Sequence, residues 1–353
     1  MSLASCTLCL AIAQVGQGLP AQRLAQPAAT SLSDREIVES VGADTGGAAV
    51  RPLDPTEGDA STDQSEKGSV SSEAAKPIGT NYSGKLFLRQ AKAIPWRLGG
   101  AATAITLTGI ANWDWGSSPF HFHREGWFGK DTKSLGMDKL GHGYSAFVLT
   151  DFFTDGIDRA SQGGQYRSYT AGLLAMGMMT YIEVFDGFSK DHGFSPEDLA
   201  VDAAGVAVSI VRRAVPGLRD KVDFRLLYLP DKDTFHSLRC LPRPSCNRGG
   251  VVTAHSPITD YSNQRYLLAL KLAGFRTVKR TPLRLIEVQA GYYARGYTAE
   301  DQFRGEPLRR RIFFGLGLNV GELLFVHRRG WAGKAARSAL EYLQVPYTAV
   351  YNQ

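Results

Sequence analysis

The sequence predicts an α+β protein, in which an N-terminal four-helix bundle packs with a C-terminal antiparallel β-sheet of about five strands. Four apolar stretches between residues 94 and 215 have the length of helices. After Pro216 the pattern changes to alternating apolar and polar residues, as in strands. With 353 residues, 43% of them hydrophobic, the chain can build a substantial core. We therefore expect a helical domain over residues 81–217 and a β region with one amphipathic helix over residues 218–353.

Residues 1–80 are expected to lie outside this folded part. A short apolar run followed by small residues predicts a signal peptide over residues 1–25, whose missing basic residues suggest a truncated start. Leu3-Ala4-Ser5-Cys6 is similar to a lipoprotein box, although the apolar run continues past Cys6. Residues 26–80 are rich in small, polar and acidic residues and nearly lack aromatics, which predicts a disordered linker.

The second predicted helix has two distinct faces. At 100° per residue, Asp138 and His142 fall on its apolar face. Asp151, Asp155 and Asp158 gather on the opposite face, which we expect to contact water. The four predicted helices cover residues 94–113, 137–158, 166–185 and 195–215.

The acidic residues of the fourth helix need different explanations. Ser195, Pro196 and Asp198 have the spacing of an N-cap, a first helical residue and the far end of a capping box, so Ser195 and Asp198 are interpreted as capping residues. Asp202 is the only charged residue between Asp198 and Arg212. A lone carboxylate on such an apolar helix needs a partner.

The expected topology indicates where that partner lies. Neighbouring helices joined by loops of this length usually pack antiparallel, so the second helix start, the third helix end and the fourth helix start should meet. The polar residues at that end are Asp138, Lys139, His142, Glu183, Asp186 and Asp202. An aromatic loop with His121 and His123 enters there too, and both are interpreted as ordinary loop residues. Residues 190–192 are expected to form a solvated turn.

One histidine among several carboxylates allows three interpretations. His142 could act as a general base oriented by Asp138 or Glu183, which makes these three residues the catalytic candidates. The group could hold a divalent metal ion, although the closely spaced histidine pair of common helical sites is missing. Lys139 and the carboxylates could instead form a buried salt network without chemistry.

Alternation after Pro216 predicts the strands of the sheet. Ile312, Phe314 and Leu316 share one face of a strand, whereas Gly315 and Gly317 share the other. The predicted strands cover residues 223–230, 265–274, 283–297, 310–322 and 345–351, with an amphipathic helix over 331–343.

Two cysteines lie in the β region. Cys240 and Cys246 flank a Pro-rich turn, whose short loop could close as a disulfide in an oxidising compartment. The alternative is a pair of free thiols.

The charge of the chain bears on its partners. The formal net charge is +6, but Lys and Arg are interleaved with Asp and Glu instead of forming one basic block. We therefore expect no nucleic-acid partner. An attraction to anionic lipid surfaces fits this charge at least as well.

Two motifs carry a resemblance to a known family. "EGWFGKDTKSLGMDKLGHGYSAF" and "EVFDGFSKDHGFSPEDLAVDAAG", together with "DYSNQRYLLAL" and "AGYYARGY", resemble the YfiM-like family of predicted periplasmic lipoproteins, a bacterial envelope domain of unknown function (DUF 2279). The matching positions include Asp138, Lys139, His142, Glu183 and Asp186. A fainter similarity to VanZ-like membrane proteins is limited to the Asp-Lys-x-x-His pattern and a later Glu. The family resemblance implies no known activity, and the fainter VanZ-like similarity suggests a membrane setting.

These observations predict an exported, membrane-associated cell-envelope protein with a structural or lipid-interacting role. Its expected place is the periplasmic side of the envelope, at the outer membrane rather than the inner. Membrane lipid or another envelope component is the expected partner. The alternative is an envelope hydrolase, with or without a divalent metal, that acts on a lipid or a cell-wall component.

Overall fold

A computed structural model describes residues 82–129, 132, 134–161, 164, 166–229, 261–297, 301, 305–325 and 330–352, with the side chains of 111 and 112 left out. All of these residues belong to one compact unit. The predicted signal peptide, the predicted linker and the Cys240–Cys246 pair lie outside the described residues.

Within the described residues, five helices precede the sheet. They are α1 (Gly84–Lys92), α2 (Pro95–Asn112), α3 (Met137–Ser161), α4 (Arg167–Asp186) and α5 (Pro196–Ala214). Helices α3, α4 and α5 pack around one another, while α1 and α2 lie against α3 and α4. The predicted four-helix bundle is not confirmed, because α2 is peripheral and leaves Trp96, Leu107 and Ile110 exposed. Among the described residues, no helix combines the length and the apolarity that crossing a membrane would need.

Helix α3 is the central helix of the molecule, and most of its residues are buried. The prediction that Asp151 contacts water is wrong, because its side chain is fully buried. Arg212 Nη1 donates to Asp151 Oδ2 at 3.0 Å, and Arg213 also pairs with the carboxylate. Two arginines near the end of α5 thus neutralise a charge that helical periodicity alone assigns to the surface.

Helices α3 and α5 approach closely because two glycines face each other. A Cβ added to Gly205 would lie 2.0 Å from the carbonyl oxygen of Gly143, which is backbone and cannot move aside. This contact brings the first turns of the two helices together, where the polar residues lie.

The sheet has six strands. They are β1 (Val222–Tyr228), β2 (Gln264–Lys271), β3 (Ile286–Arg295), β4 (Arg309–Leu318), β5 (Leu343–Gln344) and β6 (Ala349–Tyr351). Their order is β5-β1-β2-β3-β4-β6, and helices α6 (Val320–Phe325) and α7 (Trp331–Ala339) come between β4 and β5. The α+β class is thus observed, but the sheet of five antiparallel strands is not confirmed. The additional strand β5 has two residues and pairs with β1 in parallel.

The sheet is strongly curled. Residues 345–348 connect its two edge strands, and the five steps from Gln344 to Ala349 reach at most about 17 Å. The edges of a flat six-stranded sheet would lie about 24 Å apart. A hydrogen bond from Gln289 Nε2 on β3 to Gln344 Oε1 on β5, at 3.0 Å, also joins strands that lie three positions apart.

The inner face of the curled sheet is buried and combines a polar network with an apolar cluster of Leu227, Leu267, Ala269 and Phe313. Arg225 donates to Glu287 and Gln344, and Gln289 donates to Glu287. Phe313 and Tyr351 pack in the same interior, with ring centroids 4.9 Å apart. The outer face is apolar.

Helix α3 covers one part of that outer face, over β1 and β2. The ring centroid of Tyr144 lies 5.3 Å from that of Phe224 and 5.6 Å from that of Tyr266. These contacts join the sheet to the helices. The remainder of the outer face, on β2, β3, β4 and β6, is exposed.

Candidate functional site

The predicted polar residues meet at one end of the helical part. The first two turns of α3 and α5 and the last turn of α4 supply Asp138, Lys139, His142, Glu183, Asp186, Asp198 and Asp202, and each is at most 3% exposed. We call this group, together with Glu125, the polar cluster. The expected antiparallel packing of the three helices is what brings these residues together.

Two connecting segments close over this end. Backbone hydrogen bonds join the loop before α3 to the α4–α5 connection, from His121 N to Gly187 O at 2.9 Å and reciprocally between residues 121–123 and Phe194. Gly193 lies at φ 132°, and a Cβ there would come within 2.4 Å of His123 Cβ. A glycine is therefore required for the two segments to approach this closely.

Lys139 forms the first half of the cluster. Its Nζ lies 2.7 Å from Asp198 Oδ1, 2.8 Å from Glu125 Oε2 and 3.3 Å from Asp138 Oδ2. Burial alone would lower the pKa of Lys139, but Asp138, Asp198 and Glu125 raise it above its ordinary value. The side chain is thus a buried cation held by three carboxylates.

His142 forms the second half. Its Nδ1 lies 3.4 Å from Asp202 Oδ1 and 3.5 Å from Glu183 Oε1. Burial lowers the pKa of His142, but Asp198 and Asp202 outweigh this effect and raise the pKa well above the ordinary value. The carboxylates around the imidazole therefore favour its protonated form.

The capping candidates also connect to the cluster. Ser195 Oγ accepts a hydrogen bond from the Asp198 backbone N–H at 3.3 Å, the geometry of an N-cap. The Ser195 backbone N–H donates to Glu183 Oε2 at 3.0 Å, whereas the Asp198 carboxylate binds Lys139. Glu183 thus takes the place that the third residue of a capping box would fill, and it ties α4 to the start of α5.

Three partners come from outside the three helices and were not among the predicted site residues. Trp115 Nε1 donates to Asp186 Oδ1 at 2.7 Å, Tyr261 OH donates to Asp138 Oδ1 at 3.3 Å, and Glu125 accepts from Lys139. Trp115 and Glu125 belong to the loop before α3, and Tyr261 begins the short 3-10 turn that leads into β2. Helix periodicity and packing do not indicate where such residues make contact.

The cluster contains more acids than bases. Six carboxyl groups, from Glu125, Asp138, Glu183, Asp186, Asp198 and Asp202, face the cations of Lys139 and His142. Such an excess of charge cannot remain ionised in a buried site. Burial raises the pKa of Glu125, Glu183, Asp186 and Asp202, and that of Asp186 reaches about 7 although its bond to Trp115 opposes the shift.

Two sets of ligand atoms in the cluster have the spacing of a metal site. Asp138, His142 and Asp198 form one set, and His142, Glu183 and Asp202 the other, with the atoms of each set within 4.8 Å of one another. Carboxylates and imidazole are common ligands of divalent ions. The arrangement could therefore hold such an ion, whose positive charge would compensate the buried carboxylates in place of bound protons.

A surface pocket lies next to the cluster. It has a volume of about 580 Å³ and is lined by His121, His123, Arg124, Glu125, Lys190, Asp191 and His192. The histidines interpreted as ordinary loop residues and the segment interpreted as a solvated turn therefore face one cavity, and His192 is buried rather than solvated. Glu125 connects the pocket to the cluster through Lys139.

Residues 124–214 match the model of a family described as "Predicted periplasmic lipoprotein (DUF2279)". The matched segment contains α3, α4 and α5 and all the cluster carboxylates, so the predicted similarity to this family is confirmed over these residues. The description supports a location in the periplasmic envelope and states no activity. No curated protein and no solved structure matches the chain.

Proposed function

We propose that this protein is a membrane-associated structural component of the periplasmic envelope, in which the polar cluster stabilises the fold. The observation that carries this proposal is the enclosure of the cluster. Lys139 and His142 are each 2% exposed or less, and each is surrounded by carboxylates. A catalytic base must reach the proton that it removes, whereas His142 is enclosed among carboxylates that favour its protonated form.

The cluster is suited to holding the chain together. It joins α3, α4 and α5 to the loop before α3 and, through Tyr261, to the short turn that precedes β2. Removal of one member of a buried ionic network leaves its partners uncompensated, at a cost of about 3–5 kcal/mol. The same segment carries the family match, which supports an envelope role.

The experiment is a thermal and denaturant unfolding comparison of His142→Ala and His142→Gln. Both variants remove the cation, and Gln keeps most of the side-chain volume, so we expect both to lose about 3–5 kcal/mol. His123→Ala, an exposed histidine of the loop, is the matched control and should unfold like the wild type. A His142→Gln protein as stable as the wild type would contradict the structural role of the cluster.

The envelope location needs a separate test. Cells that express the native chain are fractionated, and the membranes are washed with carbonate and with high salt. We expect the protein in the envelope fraction, and its resistance to each wash measures how it is attached. Recovery of the full chain in the cytoplasm would contradict the proposed location.

A second candidate function is a metal-assisted envelope hydrolase, and the excess of buried carboxyl groups favours it. A divalent ion bound by His142, Glu183 and Asp202 would compensate that charge, and the adjacent pocket would admit a substrate. Elemental analysis of purified protein would then give one divalent ion per chain, and the ion would be lost in Asp202→Asn. A metal content equal in wild type and Asp202→Asn would contradict this candidate.

A further inference from the structure

The outer face of the curled sheet carries exposed apolar side chains in continuous rows. Leu270, Val288, Leu316 and Val350 pair across four strands, and Leu268, Ala290 and Phe314 form the next row. Apart from Ala290, which is partly buried, these side chains are between 37% and 81% exposed. An apolar surface that spans four strands usually marks a site of contact with another apolar surface.

The exposed outer face differs from that of an ordinary antiparallel sheet, whose apolar face is covered and whose polar face meets water. Here the polar side chains of Arg225, Glu287 and Gln289 are buried inside the curl and bonded to one another. Their apolar neighbours along the strands point outward. The exposure of the outer face therefore follows from the alternation of whole strands and not from a few stray residues.

The rims of this face carry an excess of positive charge. Arg276, Lys279 and Arg280 are exposed beyond one end of the strands, where the acid Asp220 is also exposed and lies close to Gly274. Arg309, Arg310 and Arg311 are exposed at the other end, close to Glu306. Among the residues that the structure describes, exposed basic side chains thus outnumber exposed acidic ones at both rims. Anionic lipid headgroups attract basic residues at this kind of boundary.

The shape of the face also bears on its occupant. The concave side of the curl is filled by its own side chains, so the exposed side is convex. Two convex surfaces of two copies would touch over a narrow strip, whereas fluid acyl chains conform to a curved surface. The charge at the rims and the curvature both favour lipid over a second copy of the chain.

We propose that the outer sheet face docks on a lipid bilayer with anionic headgroups, with Leu268, Phe314 and Leu316 in the acyl region and the two basic rims at the headgroups. This inference rests on the proposed envelope role and adds to it the surface that meets the membrane. The rows from Ile312 to Leu318 extend about 20 Å between the rims, so both rims reach the headgroups while the apolar rows sink between them.

The test measures co-flotation of the full chain with vesicles of phosphatidylethanolamine and phosphatidylglycerol. Cys6→Ser is present throughout, so that no acyl chain can supply the attachment. Phe314→Glu/Leu316→Glu places two charges on side chains that are 57% and 62% exposed. We expect vesicle binding to fall at least about tenfold. Leu173→Glu on α4, 55% exposed and far from the sheet in sequence, is the matched control and should bind like its parent.

A second variant keeps the proposal testable if the double variant does not fold. Arg276→Gln/Arg280→Gln leaves the apolar rows unchanged, and each substitution should weaken binding about fivefold at low salt, with less effect at high salt. Vesicle binding unchanged in both variants would overturn the proposal. Absence of vesicle binding together with a dimer that Phe314→Glu/Leu316→Glu abolishes would overturn it in favour of self-association.

The outcome is independent of the cluster experiments. His142→Gln tests the stability of the helical part, and fractionation tests the location of the chain. A failure of vesicle binding with a protein that still fractionates with the envelope would remove this docking surface and leave the proposed function standing.

Discussion

Lys139 is the residue on which the most carboxylates of the cluster converge. Its Nζ lies within 3.3 Å of Glu125, Asp138 and Asp198, which come from a loop and two helices. Because a buried cation compensates all three acids at once, its removal should destabilise the fold more than the loss of a single bond. Burial, reinforced by the neighbouring acids, raises the pKa of Glu125, Glu183, Asp186 and Asp202.

We predict that Lys139→Met lowers the free energy of unfolding by about 3–5 kcal/mol, since Met fills the volume but leaves the carboxylates without their cation. Chemical denaturation monitored by circular dichroism measures the change. Lys190→Met is the matched control, because Lys190 pairs with Asp114 at the exposed surface and its loss should leave the midpoint unchanged. Equal midpoints for Lys139→Met and the wild type would contradict the role of Lys139.

The raised pKa of Asp186 predicts that the stability of the fold depends on pH. Burial raises its pKa from 3.8 to about 7. Between about pH 4 and pH 7 the unfolded chain releases this proton while the folded chain retains it, so the free energy of unfolding falls as the pH rises. Above about pH 7 the loss from this group is complete. It amounts to at most about 4 kcal/mol, since one pKa unit corresponds to about 1.4 kcal/mol.

Asp186→Asn should remove this dependence, because Asn still accepts the hydrogen bond from Trp115 Nε1 but does not titrate. We expect the variant to gain stability over the wild type near neutral pH and little or none near pH 4. Melting temperatures across this range measure the difference. Asp220→Asn, an exposed acid, provides the comparison. A gain that is the same at every pH would contradict the raised pKa.

The sequence could predict the residues of the cluster whose positions follow from helix topology. Asp138, His142, Glu183 and Asp202 lie at helix ends that antiparallel packing brings together. The partners Trp115 and Tyr261 could not be predicted in this way, because a loop residue can reach many positions. Asp151 was assigned to the wrong environment, since periodicity describes one helix and contains nothing about Arg212 on another.

At the scale of elements, the contact between α3 and α5 depends on glycine at two positions. The backbone of Gly143 blocks any Cβ at Gly205, so Gly205→Ala must move one helix away from the other. We predict a loss of about 1–3 kcal/mol, the usual cost of overpacking. The displacement should also weaken the cluster, whose members lie on the first turns of the same helices.

Gly177→Ala on α4 is the matched control for that prediction, because a Cβ at Gly177 meets nothing within 4 Å. A helix-interior glycine at an open position should gain about 0.5–1 kcal/mol on replacement by alanine. The two substitutions are chemically identical and should have opposite signs in denaturant unfolding. Stabilisation by Gly205→Ala would contradict the close approach of the helices.

The strands were easier to predict from sequence than their arrangement. Alternation located β1, β2, β3, β4 and β6 to within a few residues, because each repeats the period of a pleated strand. Strand β5 has only two residues and offers no pattern. The curl depends on side-chain bonds such as Gln289 to Gln344, which join strands that are distant in the sheet. The outer face therefore could not be recognised as exposed before the packing of α3 was known.

At the scale of the whole molecule, a second ionic network joins the helices to the sheet. Arg212 on α5 binds Asp151 on α3, Asp223 on β1 and Glu341 after α7. Arg219 also binds Glu341. The polar cluster holds one end of the helical part, whereas this network holds α3 and α5 to β1 and to the segment that leads into β5.

The carboxylate of Glu341 makes the contribution of this network to stability dependent on pH. Burial by itself would raise its pKa, but Arg219 and Arg212 lower it from 4.5 to about 2. The interaction of Glu341 with the two arginines therefore contributes stability above about pH 4.5, and this contribution is lost as the pH falls towards 2. The direction is opposite to that of Asp186, so the two groups together favour the folded state most between about pH 4 and pH 5.

We predict that Glu341→Gln lowers the free energy of unfolding near neutral pH by at most about 3 kcal/mol. The loss should be smaller than this limit, because the side chain is partly exposed and water screens its charge. The difference from the wild type should shrink as the pH falls from about 4.5 to about 2, because the wild-type carboxylate then loses its charge. Urea unfolding at several pH values measures it, with exposed Glu306→Gln as the control. A Glu341→Gln deficit that persists unchanged to pH 2 would mean that packing rather than charge joins the helices to the sheet at this point.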